Sequence, residues 1–363
     1  MKKVRFGVIG VKGIGRTHIK GIASTDEAEL LAVADIDEEE GRSVASEQGV
    51  GWYRDYGDVL KLEELDAVTI CTPHFLHYPM TMTALDSGKH VLVEKPMART
   101  VREADEMIEN ARTRGLKLGV VFQYRTFPIN REIKRLIETG ELGTMYRVCM
   151  EACTFRTQLY YDRDAWRGKW ATEGGGALIN QTIHDLDLLQ WLAGKPKQLQ
   201  GQISTMYHNI EVDDMASATI VFENSAHGIL QVGIVDPIST TRLEISGEKG
   251  KLICEDGKVR RAILGKSVRE YAAVPEVWQW HPEIEWVDVE PQVDEERGHG
   301  AVIKDFAQAI LDDREPLVNG EEGRASLEIV NAIILSSFEG RAVSFPIDRG
   351  AYDRLMSKLA KTN

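Results

Sequence analysis

Short apolar runs alternate with segments of helical periodicity through residues 1–124, and this alternation restricts the fold more than any other feature of the chain. Val4–Ile9 ends in glycine and leads into residues 14–24, where Ile14, Ile19, Ile22 and Ala23 recur at helical spacing. Residues 30–34, 67–71, 90–94 and 117–124 read as further strands. Between them, Glu38–Gln48 and residues 78–87 read as helices, the second stopped by Gly88. Thr100 and Glu103 form a T-x-x-E capping box ahead of a helix that runs to about Arg114. Strands separated by helices run parallel and are covered on both faces, so residues 1–123 are expected to form a doubly wound α/β domain.

Beyond Tyr124 the pattern changes. A helix over residues 130–138 precedes a strand over 146–155, and Gly174-Gly175-Gly176 opens an apolar helix over 177–192. From about Gln198 to Leu264 come β-branched runs, 216–222 and 228–235 among them, separated by turn signals rather than helices. Such strands pair as an antiparallel meander. Helices return over 301–311 and 326–339. Residues 124–363 therefore read as an α+β domain whose sheet is built mainly from antiparallel hairpins, and no Pro/Ser linker separates it from the first domain, so the two are expected to meet across a cleft.

Composition narrows the possible functions. Lys plus Arg number 44 against 57 Asp plus Glu, a formal charge of −13 that would repel a phosphate backbone; nucleic acid is not an expected partner. The four cysteines, Cys71, Cys149, Cys153 and Cys254, form no CxxC pair, and no metal is expected. Met1-Lys2-Lys3 leads directly into the first strand without room for a signal sequence, and no apolar run reaches the roughly 18 residues of a membrane span. A cytoplasmic protein that does not engage a membrane is the expectation.

The turn after the first strand reads Gly10-Val11-Lys12-Gly13-Ile14-Gly15, against the G-x-G-x-x-G of dinucleotide-binding folds. The first glycine permits the tight turn and the last lets helix and strand approach, while the backbone amides between them face a pyrophosphate at the helix N-terminus. Lys12 stands where the middle glycine is usual, and Gly13 supplies part of the same freedom. Asp35, twenty residues after Gly15, ends the second strand where a carboxylate accepts from an adenosine ribose and repels a 2′-phosphate. NAD is the cofactor these residues favour. Lys12 keeps NADP open, because its ammonium beside Asp35 would neutralise the carboxylate or welcome a phosphate.

Leu92-Val93-Glu94-Lys95-Pro96, following Gly88-Lys89-His90-Val91, gives the chain a strong resemblance to the Gfo/Idh/MocA family of sugar and cyclitol oxidoreductases. Thr72-Pro73 with His77, Tyr124-Arg125 with Pro128, Trp166-Arg167-Gly168, the triple glycine, His184 with Asp187, and Gly247-Glu248-Lys249-Gly250 extend it over nearly the whole length. The resemblance implies a Rossmann domain followed by an α/β domain with an open, mostly antiparallel sheet through which members form dimers or tetramers. It further implies hydride transfer between a nicotinamide and a secondary alcohol or ketone of a sugar, sugar derivative or cyclitol. A dinucleotide-binding sensor without turnover, or an NAD-dependent glycoside hydrolase, is the alternative within the same family.

By that resemblance Lys95 bonds both the nicotinamide ribose and the reacting hydroxyl, and Pro96 is a candidate for a cis peptide bond that aims it. A lysine closing a buried strand needs a compensating partner, which Glu94 or a bound cofactor could provide. On a regular helix Asn180, His184 and Asp187 fall within about 60° of one another, a polar stripe on an otherwise apolar segment. His184 is then expected to exchange the hydroxyl proton near neutral pH and Asn180 to position substrate, while Asp187 either orients His184 or serves as a structural cap or interdomain hydrogen bond. Oxidation should accordingly accelerate as pH rises through the imidazole pKa. Many members carry aspartate where this chain has Asn180, and an amide cannot accept a proton at neutral pH. Thr72, Pro73, His77, Glu94 and Gln123, with His18 and His74, are expected to line the cofactor groove, and Arg125, Trp166 and Arg167 to contact substrate. Arg156, Arg163 and Lys169 are further cations suited to an anionic substituent.

Overall fold

The computed structural model describes residues 2–274, 278, 282, 284–291 and 297–361. Its first sheet has six strands, β1 (Val4–Ile9), β2 (Ala28–Ala34), β3 (Gly51–Tyr53), β4 (Ala67–Ile70), β5 (His90–Val93) and β6 (Leu118–Val120), in the order β3-β2-β1-β4-β5-β6 with all pairs parallel. Helices α1 (Ile14–Ala23), α2 (Glu38–Gln48), α3 (Tyr56–Leu60), α4 (His74–Asp86) and α5 (Val101–Arg114) connect them. Strand β1 is buried at five of its six positions, as a parallel strand covered on both faces must be. Order reverses between β1 and β4, and a sheet of this kind opens a crevice beyond the carboxyl ends of its strands at that switch point. Helix α5 begins with the expected reciprocal cap of Thr100 and Glu103.

After a 3₁₀ turn at Gln123–Thr126 come α6 (Pro128–Glu138) and the second sheet. That sheet consists of β7 (Met145–Phe155), β8 (Pro196–Ser204), β9 (Met215–Phe222), β10 (His227–Gly233), β11 (Val235–Gly247), β12 (Gly250–Glu255), β13 (Lys258–Leu264), β14 (Ile284–Asp288) and β15 (Val343–Ser344). Its order is β14-β13-β12-β11-β7-β10-β9-β8-β15. The meander is antiparallel as expected from β8 to β10 and from β11 to β14, but β7 pairs in parallel with β10. Two helices, α7 (Leu159–Asp162) and α8 (Ile183–Ala193), and strands β8 and β9 intervene between those neighbours, which gives the chain room to return in the same direction.

The remaining helices are α9 (Val268–Ala272), α10 (His299–Leu311), α11 (Gly320–Glu339) and α12 (Arg349–Leu359). Helix α11 covers β8 with Ile329, Val330 and Ile333, all buried. Helix α10 lies on the far side of the expected boundary at residue 123, yet it packs on α1 and places Phe306 against Phe6 of β1, with ring centroids 6.3 Å apart. The first sheet thus takes part of its cover from the C-terminal third of the chain. No helix among the described residues is long and apolar enough to cross a membrane.

Candidate active site

The turn beyond β1 shows why this position requires glycine. Gly10 adopts φ +86°, and a Cβ on Gly15 would lie 1.9 Å from the Gly10 carbonyl oxygen, so α1 could not begin so close to the strand with any larger residue. The side chain of Asp35 closes the turn from β2. One of its oxygens accepts from the Val11 amide and the other from the Asp37 amide, each at 2.9 Å. Lys12, expected beside Asp35, instead bonds Asp37 at 2.6 Å. Asp37 is thus the main compensation for the ammonium, and its hydrogen bond raises the Lys12 pKa.

A cavity of about 650 Å³ opens at this turn, lined among others by Gly10, Lys12, Asp35, Ile36, Thr72 and Trp166. A second, of about 520 Å³, shares Lys12, Thr72, Pro73 and Trp166 with it and runs to the second sheet's helices. The second brings together Gly13, Ile14, His74, His77, Glu94, Lys95, Gln123, Arg163, Arg167, Asn180, His184 and His299, most of them expected from sequence. Gly15 packs beneath the floor. Asp164, from the loop between α7 and α8, lines both cavities and anchors Arg167 at 3.0 Å.

Lys95 follows β5, and the Lys95–Pro96 peptide bond is cis. Its Nζ donates to the main-chain carbonyl of Asn180 at 2.9 Å, joining the two halves of the cleft. Burial lowers the Lys95 pKa, against the opposing pull of Glu94. Burial also works against the Glu94 carboxylate, but hydrogen bonds from His18 and His299 outweigh it and hold the group well below the usual carboxylate range. His18 Nε2 lies 2.9 Å and His299 Nε2 3.5 Å from Glu94 Oε1. With Nε2–H donated to Glu94, His18 Nδ1 accepts from the Thr69 hydroxyl at 2.7 Å. These three potential metal ligands, within 4.8 Å of one another, are therefore accounted for as a hydrogen-bonded cluster behind Lys95.

Three expectations are corrected. The helix over 177–192 is broken: residues Ala177–Gln181 form a π-type turn, and α8 begins only at Ile183. Asp213, between β8 and β9, accepts from the Gly176 and Leu178 amides at 2.8 and 2.9 Å and fixes that turn, so Asn180 does not share a regular stripe with His184. Arg125 is 1% exposed and lies outside the cavity. Its Nε and Nη2 grip Asp187 at 2.8 and 2.7 Å and its Nη1 reaches Glu322 at 2.7 Å, so the pair braces the fold: Arg125 does not make the expected substrate contact, and Asp187 takes the structural of its two expected roles. His184 does not titrate near neutrality. Stacked on Tyr124 at 4.6 Å and edge-on to Phe122 at 5.6 Å, it is 7% exposed, and burial together with the Lys95 charge pushes its pKa down to about 3.

Two buried polar atoms at this end of the cleft, His184 Nδ1 and Gln123 Oε1, lack partners among the described residues. Unpaired polar atoms lining a cavity are what a bound ligand satisfies. With the glycine turn and Asp35 at the other end, the residues fit an extended molecule carrying an anionic centre, a ribose and a polar ring. Glu173, Tyr160 and His299 were not expected. Glu173 had one usable signal, a carboxylate set between Trp170-Ala171-Thr172 and the triple glycine. His299 reaches Glu94 from α10, two hundred residues away in the chain, and no local pattern marks it.

Residues 4–122 match the oxidoreductase family model with an NAD-binding Rossmann fold, and residues 130–253 match the GFO/IDH/MocA C-terminal domain. The chain belongs to the Gfo/Idh/MocA family and is an NAD(P)-dependent oxidoreductase. It is 27% identical over 346 residues to a 1,5-anhydro-D-fructose reductase of Ensifer adhaerens, covering 93% of this chain and 97% of that one. With a scyllo-inositol 2-dehydrogenase (NAD(+)) of Bacillus subtilis it shares 25% over 369 residues, covering 96% and 98%. Among solved structures it resembles the WlbA dehydrogenase of Bordetella pertussis in complex with NADH and UDP-GlcNAcA, with a TM-score of 0.82 at 29% identity over 96% of this chain and 100% of that one.

Proposed function

We propose that the protein oxidises a secondary alcohol of a sugar, sugar derivative or cyclitol, or reduces the corresponding ketone, with Lys95 handling the hydroxyl proton. The observation that carries this reading is the joining of Lys95, Asn180 and His184 in one cavity continuous with the glycine turn and Asp35. Bound nicotinamide would supply the hydride acceptor. The chain's own residues would do the rest. The Gly10–Gly15 turn, Asp35, Thr72, Pro73 and Gln123 hold the dinucleotide; Asp35 favours NAD, and Lys12, engaged by Asp37, does little to attract a 2′-phosphate. Lys95 Nζ, its pKa lowered by burial, takes the hydroxyl proton as the carbonyl forms, and the proton then leaves to solvent through the cleft. His184, kept neutral by burial, bonds the same hydroxyl without acquiring charge beside Lys95. Asn180, Trp166 and Arg167 position the sugar.

Incubation with NAD and a panel of sugars, sugar derivatives and cyclitols tests the reading. Net NADH formation supports it; glycoside cleavage without net NADH, or dinucleotide binding with neither, contradicts it. We also propose a cytoplasmic homodimer or homotetramer joined through the open face of the second sheet. Its support is Ile229, exposed in mid-sheet beside its register neighbours Cys149 and Thr219. Sedimentation of Ile229→Lys should show the assembly weakened; an unchanged assembly would move the interface elsewhere.

A further inference from the structure

One buried carboxylate in the cleft wall has no part in the chemistry derived above. Glu173 is 1% exposed and ends the loop that leads into the triple glycine. Its Oε2 accepts from the Gly168 amide and its Oε1 from Asn180 Nδ2, both at 2.5 Å. A second acceptor for the same Nδ2 is Tyr160 Oη at 3.2 Å. Tyr160 Oη also receives Gln181 Nε2 at 2.7 Å and a close guanidinium contact from Arg167. These contacts decide which way the Asn180 amide points. Reversed, its oxygen would face a carboxylate oxygen at hydrogen-bond distance, acceptor against acceptor. With the nitrogen committed to the protein, the atom that Asn180 can offer to the cavity it lines is Oδ1, which only accepts.

We propose that Glu173 is a positioning residue for substrate: its carboxylate locks Asn180 with the amide oxygen presented to the cavity, making the site select a ligand that donates a hydrogen bond there, as a hydroxyl does and an ether or a ketone does not. The inference rests on reading the cavity as the substrate site. It also explains how the site works with asparagine at position 180. The negative charge stands one residue-length behind, on Glu173, and reaches Lys95 as well, whose ammonium it helps to hold. Recognition is thus split between a neutral acceptor in front and a charge behind.

Protonation of Glu173 would undo the lock, because a carboxyl that donates from Oε1 would draw the Asn180 oxygen back towards itself and turn the NH₂ to the cavity. Glu173 faces Arg167 from its own loop, Asn180 from the π-type turn, Tyr160 and Tyr161 from α7, Lys95 from the end of β5 and Asp213 from the β8–β9 connection, while its main-chain carbonyl accepts from His74 Nδ1 at 3.0 Å. Burial pushes the carboxyl up to about 7, against the pull of Asn180, Gly168 and Arg167, so both states are accessible near neutral pH. As pH rises through that range the carboxylate forms, the acceptor turns outward and KM for the alcohol falls.

The test compares wild type, Glu173→Gln and the exchange variant Glu173→Gln/Asn180→Asp. Glu173→Gln should raise KM for the alcohol about tenfold, the worth of roughly one hydrogen bond, with a smaller change in kcat, and should flatten the dependence of KM on pH. The exchange variant returns an acceptor to position 180 and a donor behind it, and should recover most of the lost KM. Unchanged KM and pH dependence in Glu173→Gln, or an exchange variant no better than the single one, would overturn the proposal; a merely structural role predicts the latter. If Glu173→Gln does not fold, the comparison of wild type with Asn180→Asp decides. A readout without turnover separates this inference from the function on which it rests. The infrared pH-difference spectrum, taken with Asp185→Asn throughout because burial pushes that carboxyl up to about 7 as well, should gain a protonated-carboxyl stretch on acidification through neutrality that Asn180→Asp shifts to higher pH. Absence of any such shift refutes the Glu173–Asn180 coupling even where no sugar is turned over, whereas the shift without turnover on any sugar contradicts only the assigned activity.

Discussion

Replacing Arg125 by methionine removes one side of the most deeply buried ion pair in the cleft wall. Arg125 is 1% and Asp187 0% exposed, and after the substitution only Gln190 Nε2, at 3.3 Å, would remain bonded to the Asp187 carboxylate among the described residues. Breaking such a pair by deleting one partner typically costs about 3–5 kcal/mol, because the charge left behind is neither solvated nor compensated. At about 2.1 cal/mol/K of unfolding entropy per residue, the 363-residue chain loses roughly 1.3 °C per kcal/mol, so the melting temperature should fall by about 4–7 °C. The double substitution Arg125→Met/Asp187→Leu removes both charges and fills the space with apolar atoms, so most of the loss should return, as it does where buried pairs are replaced together. Differential scanning fluorimetry of the three proteins makes the comparison, with KM for any sugar substrate measured alongside. An Arg125→Met protein that melts like wild type but binds substrate poorly would refute the bracing role and return the guanidinium to the substrate.

Gly15→Ala should abolish NADH binding, read by fluorescence titration, and lower stability as well, because its Cβ would meet the Gly10 carbonyl oxygen at 1.9 Å. NADH should bind more tightly than NADPH, and Asp35→Ala should narrow that preference while weakening both, since the carboxylate also holds the Val11 and Asp37 amides. His184, with a pKa pushed down to about 3, stays neutral from pH 5 upward, so His184→Gln should lower turnover without moving the alkaline limb of the rate profile. That limb should rise as Lys95 loses its proton, at a pH below the ordinary lysine range; a limb that shifts in His184→Gln would make the imidazole the titrating base.

The dinucleotide half of the site was legible in the sequence because its signals are local. The turn from Gly10 to Gly15, the carboxylate of Asp35 and the cap of Thr100 and Glu103 each depend on residues close in the chain or on strand ends with a fixed period. The substrate half was legible only as a set of residues. Asn180 and His184 do meet Lys95, but the regular helix drawn through them is interrupted where the Thr182 amide bonds the Ala177 carbonyl five residues back, while Asp213, more than thirty residues on, caps the Gly176 and Leu178 amides at the head of that turn. Arg125 and Asp187 were each noticed, yet their bond to one another spans sixty-two residues and turns two expected site groups into a brace. The neutral state of His184 likewise comes from Phe122, Tyr124 and Lys95 packing around it, a consequence of tertiary burial that spacing does not encode. The parallel pairing of β7 with β10 escaped for the same reason, since adjacency in the sheet does not follow order in the chain.

The most direct test of the account is Lys95→Met, assayed twice on the same protein. NADH affinity, by fluorescence titration, should stay within about tenfold of wild type, because the glycine turn and Asp35 are untouched, while turnover of a substrate found in the sugar panel should fall by about 10² or more, the usual contribution of a positioned proton-transfer group. Turnover within a few-fold of wild type would contradict the account and place the proton on another residue of the cleft.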